Sequence, residues 1–355
     1  MSAEKLNIRN LTFEELKTAV VALGLPAFRT QQIYEWLWKK NVGTFDDMKN
    51  LGKGAIDALN ELYFIDRIST KEIQTSNDKT LKCAFETYDH KIVEGVLIPT
   101  ATRMTACISS QVGCSLSCAF CATGKLKLLR NLTPGEIVDQ VVELRNLALE
   151  KYGIALSNIV FMGMGEPLLN YKNVIQSIEI MSAERGLFIS PRRITLSTAG
   201  IAKMIKKLGD EEVRFNLALS LHAATDAKRS KVMEINDSND LESLRDALAY
   251  FHEKTQSRIT FEYILFKDFN DSLSDAADLA KFSRCVPCKI NLIEYNPIGD
   301  PFFEKASFEN TQAFSEFLEE KNMIVNVRRS RGKDIDAACG QLANKNKMVL
   351  KAEQK

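Results

Sequence analysis

From about residue 100 onward the chain alternates strand-like and helix-like stretches, and this alternation limits the fold more than any other feature. Runs rich in β-branched and apolar residues fall at 104–109, 158–162, 193–197, 215–221, 259–265 and 289–294. Helical patterns fill the gaps, as at 134–152, 171–183 and 241–254. Repeated β-α units call for a parallel sheet with helices packed outside it. Six units over roughly 190 residues suit a partial barrel, since the eight-unit form takes about 250. The expected fold class is therefore α/β, a partial (β/α)6 barrel over residues 100–345. A small helical module at 1–75, a β-hairpin or linker at 76–99 and a tail at 346–355 complete the expected layout. In the first module, Thr12 with Glu14 and Glu15 starts one helix, Ile33, Trp36 and Leu37 mark a second, and Ile56 to Leu62 a third. Arg29, Lys39, Lys40, Lys49 and Lys53 decorate it, which favours substrate docking over plain packing. Alternation at 81–85 and 91–98, closed by Pro99, reads as the hairpin.

Three cysteines follow the first barrel strand at Cys-x3-Cys-x2-Cys spacing: Cys114, Cys118 and Cys121. A [4Fe–4S] cluster ordinarily takes four cysteines. The next one along is Cys285, so one iron would keep an open site, and an open site implies chemistry rather than electron storage. Tetrahedral zinc is the structural alternative, but it usually needs a second pair of ligands at matching spacing. The spacing, with Phe120 before the last cysteine, resembles that of radical S-adenosylmethionine enzymes. In those enzymes the open iron chelates the amino and carboxylate groups of S-adenosylmethionine.

Composition narrows the setting. Hydrophobic residues make up 45% and charged residues 26%, and the net charge is +1. That balance is ordinary for a soluble globular protein and does not indicate a globally basic nucleic-acid binder. Local basic runs occur at Lys125, Lys127 and Arg130, at Lys203, Lys206 and Lys207, and at Arg328, Arg329 and Arg331; for any one of them a solvated face is the plainer explanation. No apolar stretch of about 18 residues and no secretion signal is seen. Eight cysteines, clustered rather than spread, fit a metal site in a reducing compartment, and the cytoplasm is the expected location.

Further candidates fall at the ends of later strands. Gly163-Met164-Gly165-Glu166-Pro167 follows the second strand; its glycines admit close approach of a ligand, and Gly165 and Glu166 could grip the amino group of S-adenosylmethionine. Ser197 ends the third strand, Ser220-Leu221-His222 the fourth, and Asn296 follows the sixth. Each could cap a helix, but their shared place at the barrel mouth favours contact with a ligand. Cys107 lies seven residues before the cluster loop, and Cys339 sits far away in a glycine-flanked, acid-bearing segment. Such a pair could carry a group and then resolve a covalent link by thiol–disulfide exchange. Cys285, Cys288 and Cys83 read as structural.

Taken together, 107–114, the three-cysteine loop, 163–167, Ser220-Leu221-His222 and 332–342 resemble the RlmN/Cfr family of radical S-adenosylmethionine RNA methyltransferases over nearly the whole chain. The resemblance implies a [4Fe–4S] cluster on Cys114, Cys118 and Cys121. It implies S-adenosylmethionine contacts from Gly165, Glu166, Ser197, Ser220, Leu221, His222 and Asn296. Cys339 would carry a methyl group taken from a first S-adenosylmethionine, and a 5′-deoxyadenosyl radical made from a second would remove a hydrogen from it. The methylene radical would add to an adenine ring carbon. Attack by Cys107 would release product and leave a Cys107–Cys339 disulfide, and Glu94 matches the family's proton acceptor. Substrates implied are 23S rRNA and tRNA next to the anticodon, and a flavodoxin or ferredoxin is the implied reductant. A monomer is expected.

Pro167 after Glu166 looks like the branch that methylates carbon 2 of adenosine. The other branch methylates carbon 8 of the same rRNA region and confers antibiotic resistance. A glycyl-radical activase would use the three-cysteine loop without needing Cys107 and Cys339, and an iron–sulfur or zinc RNA-binding module would need the cluster only for folding.

Overall fold

The protein is described by a computed structural model covering residues 5–299 and 301–344; the expected tail at 346–355 lies outside the described residues. A ten-stranded sheet runs through the molecule, its spatial order following chain order. Its strands are β1 (Ser69–Thr75), β2 (Leu81–Glu86), β3 (Ile92–Pro99), β4 (Met104–Cys107), β5 (Asn158–Phe161), β6 (Ile194–Thr198), β7 (Asn216–Ser220), β8 (Ile259–Leu265), β9 (Cys288–Glu294) and β10 (Val325–Arg328). β1 to β4 pair antiparallel, and β4 to β10 pair parallel. The sheet has two edges, β1 and β10, so the barrel is partial.

The six expected barrel strands are present, and β10 adds a seventh parallel strand. The helical reading of residues 1–75 needs two corrections: Leu6–Asn7 and Tyr63–Phe64 pair as a short parallel ladder, and Ser69–Thr75 is a strand whose burial alternates residue by residue along the sheet edge. β8, Ile-Thr-Phe-Glu-Tyr-Ile-Leu, is buried along its whole length, as expected of a parallel strand covered on both faces.

The helices between parallel strands carry their own start signals. α4 (Pro134–Tyr152) has Pro134 in its first turn, a reciprocal cap between Thr133 and Glu136, and ends on Gly153 in a left-handed conformation. In the N-terminal module, α1 (Phe13–Ala22) starts on the Thr12–Glu15 capping box, followed by α2 (Arg29–Trp38) and α3 (Lys53–Leu62). Arg9 fixes this module to the sheet domain. Fully buried, it makes two 2.7 Å bonds to Asp139 of α4, donates to the Asp66 carbonyl and lies over the Trp38 ring. Among the described residues no helix is long and apolar enough to cross a membrane.

Candidate active site

One cavity opens at the C-terminal ends of the parallel strands. It is lined by Cys107, Cys114, Cys118, Cys121, Gly165, Glu166, Ser197, Ser220, His222 and Cys339. Residues more than 200 positions apart thus share one space, and most of the expected site is brought together.

The three-cysteine loop is held by backbone. Cys121 N–H bonds to the Cys118 carbonyl, Gly124 N–H to the Cys121 carbonyl and Leu116 N–H to the Cys114 sulfur. Burial pushes the Cys114 thiol up to about 11 and raises Cys118 and Cys121 as well; the sulfurs of Cys114 and Cys118 also feel the other cysteines. Thiols so disfavoured as bare anions need cations among them to ionise. Among the described residues no three Cys, His, Asp or Glu side chains converge on a single metal ion. A cluster asks for a wider arrangement, with each thiolate on its own iron, and this donor set fits that group.

Glu166 is buried, and its carboxylate joins two loops: Oε2 accepts from Ala199 N–H at 2.7 Å and Oε1 from Leu168 N–H at 3.0 Å. Its own N–H donates to Gln111 Oε1. Burial raises its pKa, opposed by these backbone bonds. Gly165 has φ +93, and a Cβ there would come within 2.5 Å of the Gln111 side chain, so only glycine fits this turn. The Ser197 and Ser220 hydroxyls lie 3.4 Å apart. His222 is buried edge-on against Phe120, and its Nδ1 accepts from Ile264 N–H at 3.1 Å. Burial, then the Arg229 charge, pushes its pKa down to about 3, so the ring is neutral and carries its proton on Nε2.

Cys107 ends β4 in the middle of the sheet, and Cys339 stands on a loop against the cysteine-rich segment. Both thiols are free. Gly340 carries the second contact: it has φ +83, its carbonyl accepts from Ala122 N–H at 2.7 Å, and a Cβ on it would lie 3.0 Å from the Phe120 carbonyl. Thr123 Oγ1 donates to the Leu342 carbonyl at 2.5 Å. Burial pushes the Cys107 thiol up to about 12, with the Cys339 sulfur adding to the rise and Arg328 opposing it. Cys339 is exposed to the cavity; desolvation by the protein around it raises its thiol, again opposed by Arg328.

Three expected site residues do not line the cavity. Leu221 is fully buried; its N–H is bound to the Glu262 carbonyl and its carbonyl to Arg229. Asn296 turns its amide onto the Cys339 carbonyl, 3.2 Å away. Glu94 is fully buried, its Oε2 accepting from the N–H groups of Ala343 and Asn344 at 2.9 and 3.1 Å while Oε1 faces Lys82 at 3.6 Å. Burial raises the Glu94 pKa, and Lys82 opposes it.

Conversely, Glu262 and Arg328 line the wall as a pair at 3.2 Å, with Asn291 on the other Glu262 oxygen. Glu262 had one sequence signal, a lone acid inside an apolar strand. Arg328, Arg329 and Arg331 line the same cavity rather than a remote solvated face. Arg130, by contrast, is locked between Asp89 and Glu136.

Comparison with known proteins agrees with this geometry. Residues 108–280 match the Radical SAM superfamily, and residues 6–65 match the ribosomal RNA large subunit methyltransferase N-terminal domain. The chain is 54% identical over 342 residues to a probable dual-specificity RNA methyltransferase RlmN of Cytophaga hutchinsonii, covering 96% of this chain and 94% of that protein. It is 41% identical over 353 residues to the dual-specificity RNA methyltransferase RlmN of Campylobacter concisus, covering 96% and 91%. A crystal structure of a radical SAM methyltransferase from Sphaerobacter thermophilus superposes with a TM-score of 0.88 at 38% identity, covering 95% of this chain and 99% of that one. Given this agreement across both parts of the molecule, the chain belongs to the RlmN family of radical S-adenosylmethionine RNA methyltransferases.

Proposed function

We propose that this enzyme methylates carbon 2 of adenosine in 23S rRNA and in tRNA next to the anticodon, through a methyl group carried on Cys339. The observation that carries the reading is the meeting of Cys107, Cys339 and the three-cysteine loop in one cavity. Cys114, Cys118 and Cys121 would hold the cluster. Bound there, the cluster and S-adenosylmethionine supply reductive cleavage to a hydrogen-abstracting radical. Gly165, Glu166, Ser197, Ser220 and His222 would seat S-adenosylmethionine. Leu221 and Asn296 would act one step back, by fixing the strand-end loops and the Cys339 carbonyl.

Cys339 accepts the methyl on sulfur; once the carbon bond to adenine has formed, loss of the ring proton and of one electron, which the oxidised cluster would take back, leaves Cys339 in a thioether to the base. The Cys107 thiolate then attacks the Cys339 sulfur. A Cys107–Cys339 disulfide forms as the sulfur–carbon bond breaks, and the electron pair leaves on the product carbon, which takes a proton. An external dithiol must reduce the disulfide before the next turnover. The family resemblance gives Glu94 the proton from the adenine ring; for that, the segment at Ala343 has to move off its carboxylate.

Pro167 and the RlmN-named relatives favour carbon 2 over carbon 8. The target adenine has to leave its stack to reach the cavity. The N-terminal helical module would dock the RNA. We place the enzyme in the cytoplasm as a monomer reduced by a flavodoxin or ferredoxin. Incubation with S-adenosylmethionine bearing a deuterated methyl group tests the carrier: the peptide containing Cys339 should gain the label. RNA methylation without label on Cys339 would overturn this reading.

A further inference from the structure

Arg229 is fully buried behind the cavity wall, on the helix Asp226–Val232. Its guanidinium donates to the carbonyls of Ala199 at 2.5 Å, Leu221 at 3.2 Å and Ser220 at 3.4 Å, and to Asn236 Oδ1 at 2.9 Å. The Asn239 carbonyl, at 3.5 Å, is its remaining acceptor. All five acceptors are neutral. Among the described residues no acid forms an ion pair with it; Asp226 acts on its charge from beyond Asn236, which donates to the Asp226 carboxylate. A buried cation held by neutral groups is costly, and such charges are ordinarily paired.

The helix that carries Arg229 is tied to the cluster loop. Its end is bonded to that loop directly, Ala119 N–H donating to the Val232 carbonyl at 3.0 Å. Val232 and Met233 pack with Phe120, Cys118 and Cys121 in one apolar group. Ala199 and Ser220, whose carbonyls the guanidinium holds, line the cavity together with Cys114, Cys118 and Cys121. A cluster on three thiolates carries net negative charge, which grows by one when it accepts an electron. Cluster potentials follow net charge, hydrogen bonding and exposure.

We propose that Arg229 is the built-in counter-charge of the iron–sulfur cluster, a fixed cation that favours the reduced state from which S-adenosylmethionine is cleaved. The electron comes from the one-electron protein donor of the reaction, and Arg229 itself neither gains nor loses a proton. It is a positioning residue, acting through the cluster and through the strand-end carbonyls it gathers. The inference rests on the reading of Cys114, Cys118 and Cys121 as cluster ligands.

The test is a redox titration, followed by electron paramagnetic resonance, of the full chain reconstituted with iron and sulfide under anaerobic conditions. Arg229→Gln keeps hydrogen-bond donors and removes the charge; Arg229→Lys keeps the charge. At fixed potential Arg229→Gln should hold about tenfold less reduced cluster, a midpoint lower by 59 mV for one electron, and Arg229→Lys should stay within about threefold of wild type. A wild-type midpoint in Arg229→Gln, or equal shifts in both variants, would overturn the proposal. If Arg229→Gln fails to load a cluster, loading in Arg229→Lys supports the charge role and failure in both overturns it. Failure of the wild type to bind a cluster would instead remove the ligand reading beneath it.

Discussion

Cys107 is the residue whose chemistry is most constrained by its place. It ends a central strand, is almost fully buried, and its thiol is pushed up to about 12. At neutral pH little thiolate is present, so release of the Cys339-bound product should accelerate about tenfold per pH unit between pH 7 and 9. Single-turnover release under anaerobic conditions checks this, and a flat profile would mean that Cys107 is not the attacking thiol. Cys107→Ala should leave RNA covalently attached to Cys339, visible as a shifted band in denaturing gels. His222 gives a separate test. Its folded pKa is lowered to about 3 from an ordinary 6.5, so its stabilising contribution is complete above pH 6.5 and is lost as the pH falls toward 3. At about 1.4 kcal/mol per unit this amounts to a few kcal/mol. The unfolding free energy of wild type should therefore fall more steeply over that range than that of His222→Gln. At this scale the sequence marks which residues stand at strand ends, and Cys107, Cys339, Ser197, Ser220 and His222 do meet. It does not mark which way a polar group turns. Glu94 and Asn296 face the Cys339 segment because partners some 250 and 43 positions away complete their bonds.

Among the elements, the strands with long apolar runs are the legible ones. β8 and β9 match their expected spans to within a residue. β1 and β10 were not visible: β1, Ser-Thr-Lys-Glu-Ile-Gln-Thr, carries a single large apolar residue along a sheet edge, and β10 is four residues, Val-Asn-Val-Arg. Edge strands lack the continuous hydrophobic signal of buried ones. The joint between the helical module and the sheet was also silent, because a lone Arg9 gives no sign that it will enter a fully buried fork with Asp139. Removing one partner leaves the other charge unpaired, so Asp139→Ala should cost about 3–5 kcal/mol in urea unfolding. A loss under 1 kcal/mol would show that the pair is not the joint. The Cys339 loop rests on Gly340 in the same way. Gly340→Ala forces a Cβ into the left-handed region and against the Phe120 carbonyl, and it should slow methylation of Cys339 at least tenfold while the cluster stays loaded. An unchanged rate of label transfer would show that the contact does not position the thiol.

For the whole molecule, the ordered parallel sheet is what makes the chemistry possible. It brings the ends of successive strands to one cavity, so that thiols 232 positions apart in the chain, 107 and 339, share a wall with the cluster loop. The antiparallel strands β1 to β3 close one side of the sheet, and the Arg9 joint holds the helical module beside α4. The most direct measurement of the central claim is nucleoside mass spectrometry on rRNA and tRNA from cells with the wild-type protein, with Cys339→Ala and without the protein. The account predicts 2-methyladenosine in both RNA pools only with the wild type. Its persistence with Cys339→Ala, or the appearance of 8-methyladenosine in its place, would contradict the account.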